Sequence, residues 1–286
     1  MLLSSFFLSY NVFKIIHFTC AILHFFFLAR VFLQENDMIR KIRWAVLLSF
    51  LFAGTQLLFS QGKIYAVLVG VSEYVHQENN LTYSHWDAIT MYEFLKEYTT
   101  PDRMVLLTNQ QALHDNIVYY AGQLFRQAGP DDIVLFFFSG HGDPNVFYTH
   151  DKALHFNTLY GIFKQTQARR RLIFADACFS GTLRKLSDRE DSGKSTAGID
   201  LLIFLSSRSS QYSREDLSLK NGAFTYFLLA GLRGGADFNR DSYITAKELF
   251  DFVNPKVKER TRGTQVPVMW GQFNVNMVIL KRKSNK

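Results

Sequence analysis

Cysteine is scarce in this chain. Only two cysteines occur in 286 residues, Cys20 and Cys178. Cys20 lies in an apolar N-terminal stretch that does not belong to the globular part, so the domain carries a single thiol. This excludes an internal disulfide within the domain. A lone thiol is then either a buried, inert side chain or a reactive group.

The chain also lacks internal repeats and a basic stripe interleaved with aromatic residues. The formal net charge is +7, but five of the basic residues lie in the N-terminal segment. Four more, Lys281, Arg282, Lys283 and Lys286, lie in the last six positions. Nucleic acid is therefore not an expected partner.

The N-terminal segment is not globular in composition. Residues 1–37 form a mostly apolar, Phe-rich extension that is not translated if Met38 is the true start. Residues 38–61 have the layout of a signal peptide or membrane anchor, with a basic start, an apolar run at 44–59 and Ser60 before a cleavage site. Alternatively, residues 1–59 form two membrane segments. Either interpretation predicts a protein that is exported (periplasmic or extracellular) or membrane-anchored, its N-terminal segment cleaved on export or membrane-inserted.

Two apolar runs in the remaining region each end in a reactive side chain. The run at 132–138 leads into the motif SGHG, which contains His141, and the run at 171–175 leads into DACFSG, which contains Cys178. Both runs are typical of buried strands followed by tight turns. If the strands are neighbours in a parallel sheet, His141 and Cys178 meet at one edge. A thiol beside an imidazole suffices for a cysteine nucleophile.

Strands and helices alternate along the domain, which predicts a parallel sheet with helices on both faces. The predicted strands are 64–71, 103–108, 132–138, 171–175, 201–205, 266–270 and 273–280. The predicted helices are 85–98, 114–128, 154–166, 222–232 and 246–260. The segment 182–198 is rich in Ser, Lys, Asp and Gly and is predicted to be a surface loop.

Together, the SGHG and DACFSG motifs resemble the caspase and metacaspase superfamily of cysteine peptidases, over Lys63 to Leu280. His141 lies 37 positions before Cys178, fewer than the roughly 50 of animal caspases, which places the chain nearer the metacaspase-like bacterial branch. The resemblance implies an α/β fold for the domain at 63–286. This is a caspase-like three-layer sandwich with a mostly parallel six-stranded sheet. It also implies that 182–198 joins the large- and small-subunit parts.

The resemblance further implies a cysteine endopeptidase that acts on polypeptide substrates. Cys178 would be the nucleophile and His141 the acid and base, with the backbone N–H groups of Gly142 and Cys178 as oxyanion donors. No cofactor is required for this chemistry. The alternative is a non-catalytic caspase-fold module that binds peptides or partners.

Two acidic residues are candidates for substrate recognition. Metacaspases have aspartates in their specificity pocket at positions that match Asp176 and Asp87 in this sequence. The resemblance therefore implies cleavage after Arg or Lys, because a carboxylate pairs well with either side chain. The alternatives are a helix-start carboxylate for Asp87 and a structural hydrogen-bond acceptor for Asp176.

A second motif lies near the C-terminus. The segment 237–248 fits an EF-hand calcium loop, with candidate oxygen ligands at Asp237, Asn239, Asp241, Tyr243, Thr245 and Glu248. Ser242 stands where glycine normally makes the sharp turn of such a loop. A Ca²⁺ site is one interpretation, and a polar turn that caps the following helix is the other.

Overall fold

The apolar runs form the strands of a central sheet. A computed structural model describes residues 62–143, 145–178, 200–207, 215–216 and 220–283, and the structural statements below concern these residues. Their strands are β1 (Ile64–Gly70), β2 (Met104–Thr108), β3 (Ile133–Ser139), β4 (Gly142–Asp143), β5 (Val146–Tyr148), β6 (Ala153–His155), β7 (Arg170–Cys178), β8 (Asp200–Ser207), β9 (Glu215–Asp216), β10 (Asn221–Gly222), β11 (Tyr243–Thr245), β12 (Val268–Gln272) and β13 (Val278–Lys281).

The main sheet has six strands in the order β12-β8-β7-β3-β1-β2. The five strands from β8 to β2 pair in parallel, and β12 is antiparallel to β8. Smaller antiparallel sheets form from β4-β5-β6, β9-β10 and β11-β13. The prediction of a mostly parallel six-stranded sheet is therefore confirmed.

Successive strand residues point to opposite sides of the sheet. Because the strands are apolar on both sides, helices cover both faces. The helices are α1 (Ser84–Leu95), α2 (His114–Phe125), α3 (Phe156–Gln165), α4 (Ala223–Ala230) and α5 (Ala246–Arg260). In β3, Leu135 and Phe137 pack in the core with residues of α1, α4 and α5. The intervening Val134 and Phe136 pack in a second core with residues of α2 and α3. The fold is the predicted three-layer sandwich.

Two predicted elements differ in the structure. The helix predicted from 154 begins at Phe156, because Ala153–His155 pairs with β5 as a strand. The strand predicted at 273–280 is shorter, and it pairs with β11 outside the main sheet. Here Asn274 Oδ1 accepts a hydrogen bond from the Asn276 backbone and supports a turn that interrupts the predicted strand.

The predictions for residues 1–61 and for the loop at 182–198 lie outside the described residues. Among the helices that the structure does describe, none is long and apolar enough to cross a bilayer.

Candidate active site

The two motifs lie at the carboxyl ends of adjacent strands. β3 and β7 pair in parallel, with Ser139 opposite Asp176. The Gly140 backbone N–H donates to the Asp176 carbonyl at 3.2 Å across the same strand ends. His141 follows Ser139 by two residues and Cys178 follows Asp176 by two, so both lie at one edge of the sheet. Neighbouring strands are about 4.8 Å apart, which makes this edge a natural place for a thiol and an imidazole to cooperate.

His141 is held by the chain segment between β1 and α1. Its Nε2 lies 2.8 Å from the carbonyl oxygen of Asn79, and its backbone N–H donates to the Tyr74 hydroxyl at 2.8 Å. A carbonyl oxygen can only accept, so Nε2 carries the hydrogen of this bond. This tautomer leaves Nδ1 as the nitrogen that can exchange a proton with another group.

Gly142 presents its backbone N–H away from the neighbouring hairpin strand. In the β4-β5 pair Gly142 lies opposite Phe147, and the adjacent Tyr148 N–H donates to the His141 carbonyl at 3.0 Å. In an antiparallel ladder this makes Gly142 and Phe147 a non-hydrogen-bonded pair. The N–H of Gly142 is therefore not used by the β4-β5 ladder.

Asp87 and Asp176 come together beneath the same edge of the sheet. Both are buried, with 2% and 4% exposure respectively. A Cβ atom placed on Gly222 would lie 2.2 Å from Asp176 Oδ2 and 3.0 Å from Asp87 Oδ2. The two carboxylates thus lie on either side of the space beside the Gly222 Cα, and any larger side chain at 222 would clash with both.

The two carboxylates accept hydrogen bonds from neutral groups. Asp87 Oδ2 accepts from the Ser139 hydroxyl at 2.8 Å. Its Oδ1 accepts from Asn221 Nδ2 and from the Gly222 backbone, each at 2.9 Å. Asp176 Oδ2 accepts from the backbone and hydroxyl of Thr225 at 3.2 and 3.0 Å.

Sequence reasoning predicted Asp87 and Asp176 but missed these hydrogen-bonding neighbours. Ser139 belongs to the SGHG motif, and Asn221, Gly222 and Thr225 belong to the segment NGAFT. Both segments stand out in the sequence, yet neither indicates which acidic side chain it contacts.

Burial and the neighbouring charge of Asp176 together raise the pKa of Asp87 to about 8. Hydrogen bonds from Asn221, Ser139 and Gly222 oppose this shift only in part. Two buried carboxylates this close disfavour a second negative charge, and a cation between them would relieve that cost. A nearby positive charge would therefore stabilise the pair in its ionised form.

The EF-hand-like segment lies elsewhere, and it comprises the residues before β11, β11 itself and the first turn of α5. The Asp237 side chain is buried and its Oδ2 accepts from Arg282 Nη1 at 2.9 Å. Thr245 and Glu248 form a capping box at the start of α5. Ser242 has a φ of 70°, so it makes the left-handed turn without a glycine, at a cost of about 1–2 kcal/mol.

The remaining candidate ligands of this loop bond to one another. Asn239 Nδ2 donates to Asp241 Oδ2 at 3.0 Å, and the Tyr243 backbone N–H donates to Asp241 Oδ1 at 2.7 Å. The loop offers the oxygen donors that Ca²⁺ prefers, and these contacts and the Arg282 pair engage several of them. Within the described ranges, no group of three or more His, Cys, Asp or Glu side chains is arranged to hold a metal ion.

Comparisons with known proteins agree with this architecture. The sequence model of the Caspase domain family matches residues 63–277. A protein named a probable protease, from a Desulfuromonadales bacterium, is 26% identical over 243 residues that cover 68% of this chain. The match spans only 30% of that relative's length.

Two crystal structures share the fold. Caspase-1 from Spodoptera frugiperda superposes with a TM-score of 0.58 at 17% identity, over 79% of this chain and 93% of its own. A Geobacter sulfurreducens protein gives a TM-score of 0.55 at 17% identity, over 73% of this chain and 93% of its own. With the family match over most of the domain, the chain belongs to the Caspase domain family of peptidases.

Proposed function

We propose that this protein is a cysteine endopeptidase that uses a Cys178–His141 dyad and cleaves polypeptides after Arg or Lys. One observation carries the proposal, which is the β3-β7 register with Ser139 opposite Asp176. This register aligns the first residues of both motifs at one edge of the sheet. Ser139 in turn bonds to Asp87, so Asp87 and Asp176 both lie near this edge.

The dyad chemistry follows from the groups at this edge. The Cys178 thiol gives its proton to His141 Nδ1, and the thiolate attacks the scissile carbonyl carbon. The C–N bond then breaks as the imidazolium protonates the leaving amine, which leaves a thioester on Cys178. Water, deprotonated by His141, attacks the thioester, the C–S bond breaks, and the thiol is regenerated.

Backbone donors stabilise the developing oxyanion in this proposal. The N–H groups of Gly142 and Cys178 are the candidates. The orientation of the Gly142 N–H, away from β5, supports this role because the ladder does not consume that donor. No metal or organic cofactor enters these steps.

Asp87 and Asp176 supply the preference for a basic residue before the scissile bond. An Arg or Lys side chain that reaches them would form charge-assisted hydrogen bonds, which are about twice as strong as neutral ones. An acidic side chain at the same point would bring a further carboxylate to a buried pair that already disfavours a second negative charge. The pair thus supports Arg or Lys and opposes Asp.

The test is hydrolysis of fluorogenic peptides that end in Arg, Lys or Asp before the reporter, with the full chain as enzyme. We expect Arg and Lys peptides to be cleaved and Asp peptides not. Cys178→Ala and His141→Ala should each reduce kcat to below about 1% of wild type, while Cys20→Ala, which removes the chain's other cysteine, should stay active.

Asp176→Asn keeps the shape and the bond to Thr225 but removes a charge. In the same assay it should raise KM for Arg peptides, because the peptide loses binding free energy on the order of 2–4 kcal/mol. A wild type that prefers Asp refutes the pocket, and residual activity in Cys178→Ala refutes the dyad. A wild type that binds these peptides without hydrolysing them would instead indicate the non-catalytic module.

A further inference from the structure

The segment between β1 and α1 contacts His141 at two separate atoms. The Tyr74 hydroxyl accepts from the His141 backbone N–H, and the Asn79 carbonyl lies against its Nε2. The Tyr74 ring also packs beside the imidazole, with ring centroids 5.1 Å apart and planes tilted by 40°. Tyr74 is therefore in contact with both the backbone and the side chain of His141.

External contacts matter for His141 because the residues on both sides of it are intrinsically flexible. It stands between Gly140 and Gly142, and glycine has far more backbone freedom than any other residue. Either glycine can change its backbone conformation without a side-chain clash of its own, and such a change would move the imidazole. The Tyr148 N–H holds the His141 carbonyl, and the Tyr74 hydroxyl holds the His141 N–H, so the two hydrogen bonds together restrain the residue.

Gly140 is shaped to admit this hydroxyl. A Cβ atom on Gly140 would lie 2.8 Å from Tyr74 Oη and 3.0 Å from Phe138 Cζ. The first glycine of SGHG thus leaves the space through which the tyrosine reaches the His141 N–H. A larger residue at the first glycine of the motif would therefore displace the Tyr74 hydroxyl.

Tyr74 is itself fixed from two sides. Its ring is buried in the core formed with α2 and α3, and its backbone N–H donates to Asn80 Oδ1 at 2.9 Å. Asn80 is exposed, so its side chain serves this loop rather than the core. Packing restrains the tyrosine ring, and this hydrogen bond restrains its backbone.

We propose that Tyr74 is a positioning residue for the reaction, which holds His141 in place through its hydroxyl and is supported by the Asn80 side chain. This inference rests on the proposed role of His141 as the acid and base of the dyad. Tyr74 acts through His141 and does not touch the substrate. Its loss should therefore affect the chemical step and not substrate binding.

The principal test is Tyr74→Phe, which removes only the hydroxyl. A misplaced catalytic group can cost about a hundredfold in rate, so we expect kcat for Arg peptides to fall roughly ten- to a hundredfold, with KM within about twofold of wild type. The matched control is Tyr65→Phe, a buried tyrosine at the opposite end of β1, which should match wild type.

Asn80 provides a second pair of variants that leaves the core intact. Asn80→Ala removes the acceptor for the Tyr74 backbone, and we expect it to lower kcat in the same direction. Asn80→Asp retains that acceptor oxygen and should restore most of the activity. An equal loss of kcat in Asn80→Ala and Asn80→Asp would overturn the proposal. A Tyr74→Phe variant with a raised KM and an unchanged kcat would also overturn it.

Alkylation of Cys178 by iodoacetamide separates this proposal from the proposed function, because it requires no peptide cleavage. An imidazole that takes the thiol proton accelerates alkylation, so Tyr74→Phe should react at a rate between wild type and His141→Ala. If His141→Ala matches wild type in both peptide hydrolysis and alkylation, the dyad is wrong, and the proposed role of Tyr74 is then wrong as well. If His141→Ala is impaired while Tyr74→Phe matches wild type, the dyad stands and Tyr74 is not a positioning residue.

Discussion

Asp87 shows at the residue scale how a fold gives an ordinary side chain an unusual property. Its position in the first turn of α1 favours a charged carboxylate, since the N-terminal end of a helix carries partial positive charge. Burial and the neighbouring Asp176 act in the opposite direction and prevail, because they raise the pKa of Asp87 to about 8. The carboxyl is therefore protonated in the folded protein over a range where it is ionised in the unfolded chain.

This difference predicts a pH-dependent stability. Asp87 has a pKa of about 8 when folded, against its ordinary value of 3.8. The folded state thus binds the extra proton, and this stabilising contribution is present below pH 3.8 and is lost as the pH rises toward 8. Asp87→Asn does not titrate and can keep the bonds to Asn221, Gly222 and Ser139.

We therefore expect Tm of Asp87→Asn, relative to wild type, to rise between pH 4.5 and pH 9. For a chain of this size 1 kcal/mol corresponds to about 2–4 °C, so the change should be visible in thermal melts. Asp131→Asn removes an exposed carboxylate and should show no such trend. A Tm difference for Asp87→Asn that is the same at both pH values would mean that Asp87 is ionised throughout.

Among the secondary-structure elements, the segment from β11 into α5 contains a sequence pattern that is compatible with two different structures. The T-x-x-E spacing of Thr245 and Glu248 is both the end of an EF-hand loop and a capping box. The structure has the capping box. The positive charge near Asp237 comes from Arg282, a residue that lies far along the chain and that no loop pattern includes.

Arg282 gives the calcium hypothesis a direct test. Because its guanidinium engages Asp237, a Ca²⁺ ion at this loop has to displace it. Arg282→Gln should therefore bind calcium at least about tenfold more tightly than wild type, a gain of roughly 1.4 kcal/mol or more, as measured by calorimetry.

The double variant Arg282→Gln with Asp237→Asn is the control, and it should lose the added affinity. If Arg282→Gln takes up no calcium at millimolar concentration, the segment is a capped helix start and not a metal loop. A wild type that binds as tightly as Arg282→Gln would show that the Asp237–Arg282 pair does not compete with the ion.

The sheet order decides, for the whole molecule, what a cut in the predicted loop at 182–198 would do. The strands on either side of this loop, β7 and β8, pair in parallel within the main sheet. β8 also pairs with β12, and both flanking strands contribute to the two cores. A cut between them breaks one peptide bond but leaves these pairings in place.

Self-processing in this loop is the corresponding prediction. Of its basic residues, Arg184 and Lys185 lie few positions past Cys178, so Arg189 and Lys194 are the expected cleavage sites. The segment contains the Arg and Lys residues that the proposed preference requires, and a polar surface loop, as the sequence predicts here, is a preferred site of cleavage. Mass spectrometry of the incubated protein should show new termini after one of these residues.

Two measurements make this prediction specific. Cys178→Ala, incubated alongside, should stay intact, and the fragments of the wild type should elute together in size-exclusion chromatography because β7 and β8 remain paired. Identical fragments from both proteins would indicate a contaminating protease. An active wild type that stays uncut would refute self-processing.

Much of this protein can be read from local sequence. The apolar runs predict β1, β3, β7 and β8 because strands buried on both faces need continuous apolar residues. The helical periodicities likewise predict α1, α2 and α5. The small residues that follow the apolar runs at 132–138 and 171–175 mark His141 and Cys178 as candidates. The two- and three-residue strands β4 to β6 are too short to leave a periodic pattern, and they were missed.

Local composition and the chemistry of single side chains are enough to predict the longer elements, the three-layer class and the two reactive motifs. The assembled fold was needed to show that β3 lies beside β7, that Tyr74 and Asn79 hold His141, and that Asp87 lies close to the buried Asp176. These groups are tens of residues apart in the chain. Their contacts, and the raised pKa of Asp87, depend on distance and burial, which exist only once the sheet and its helices have assembled.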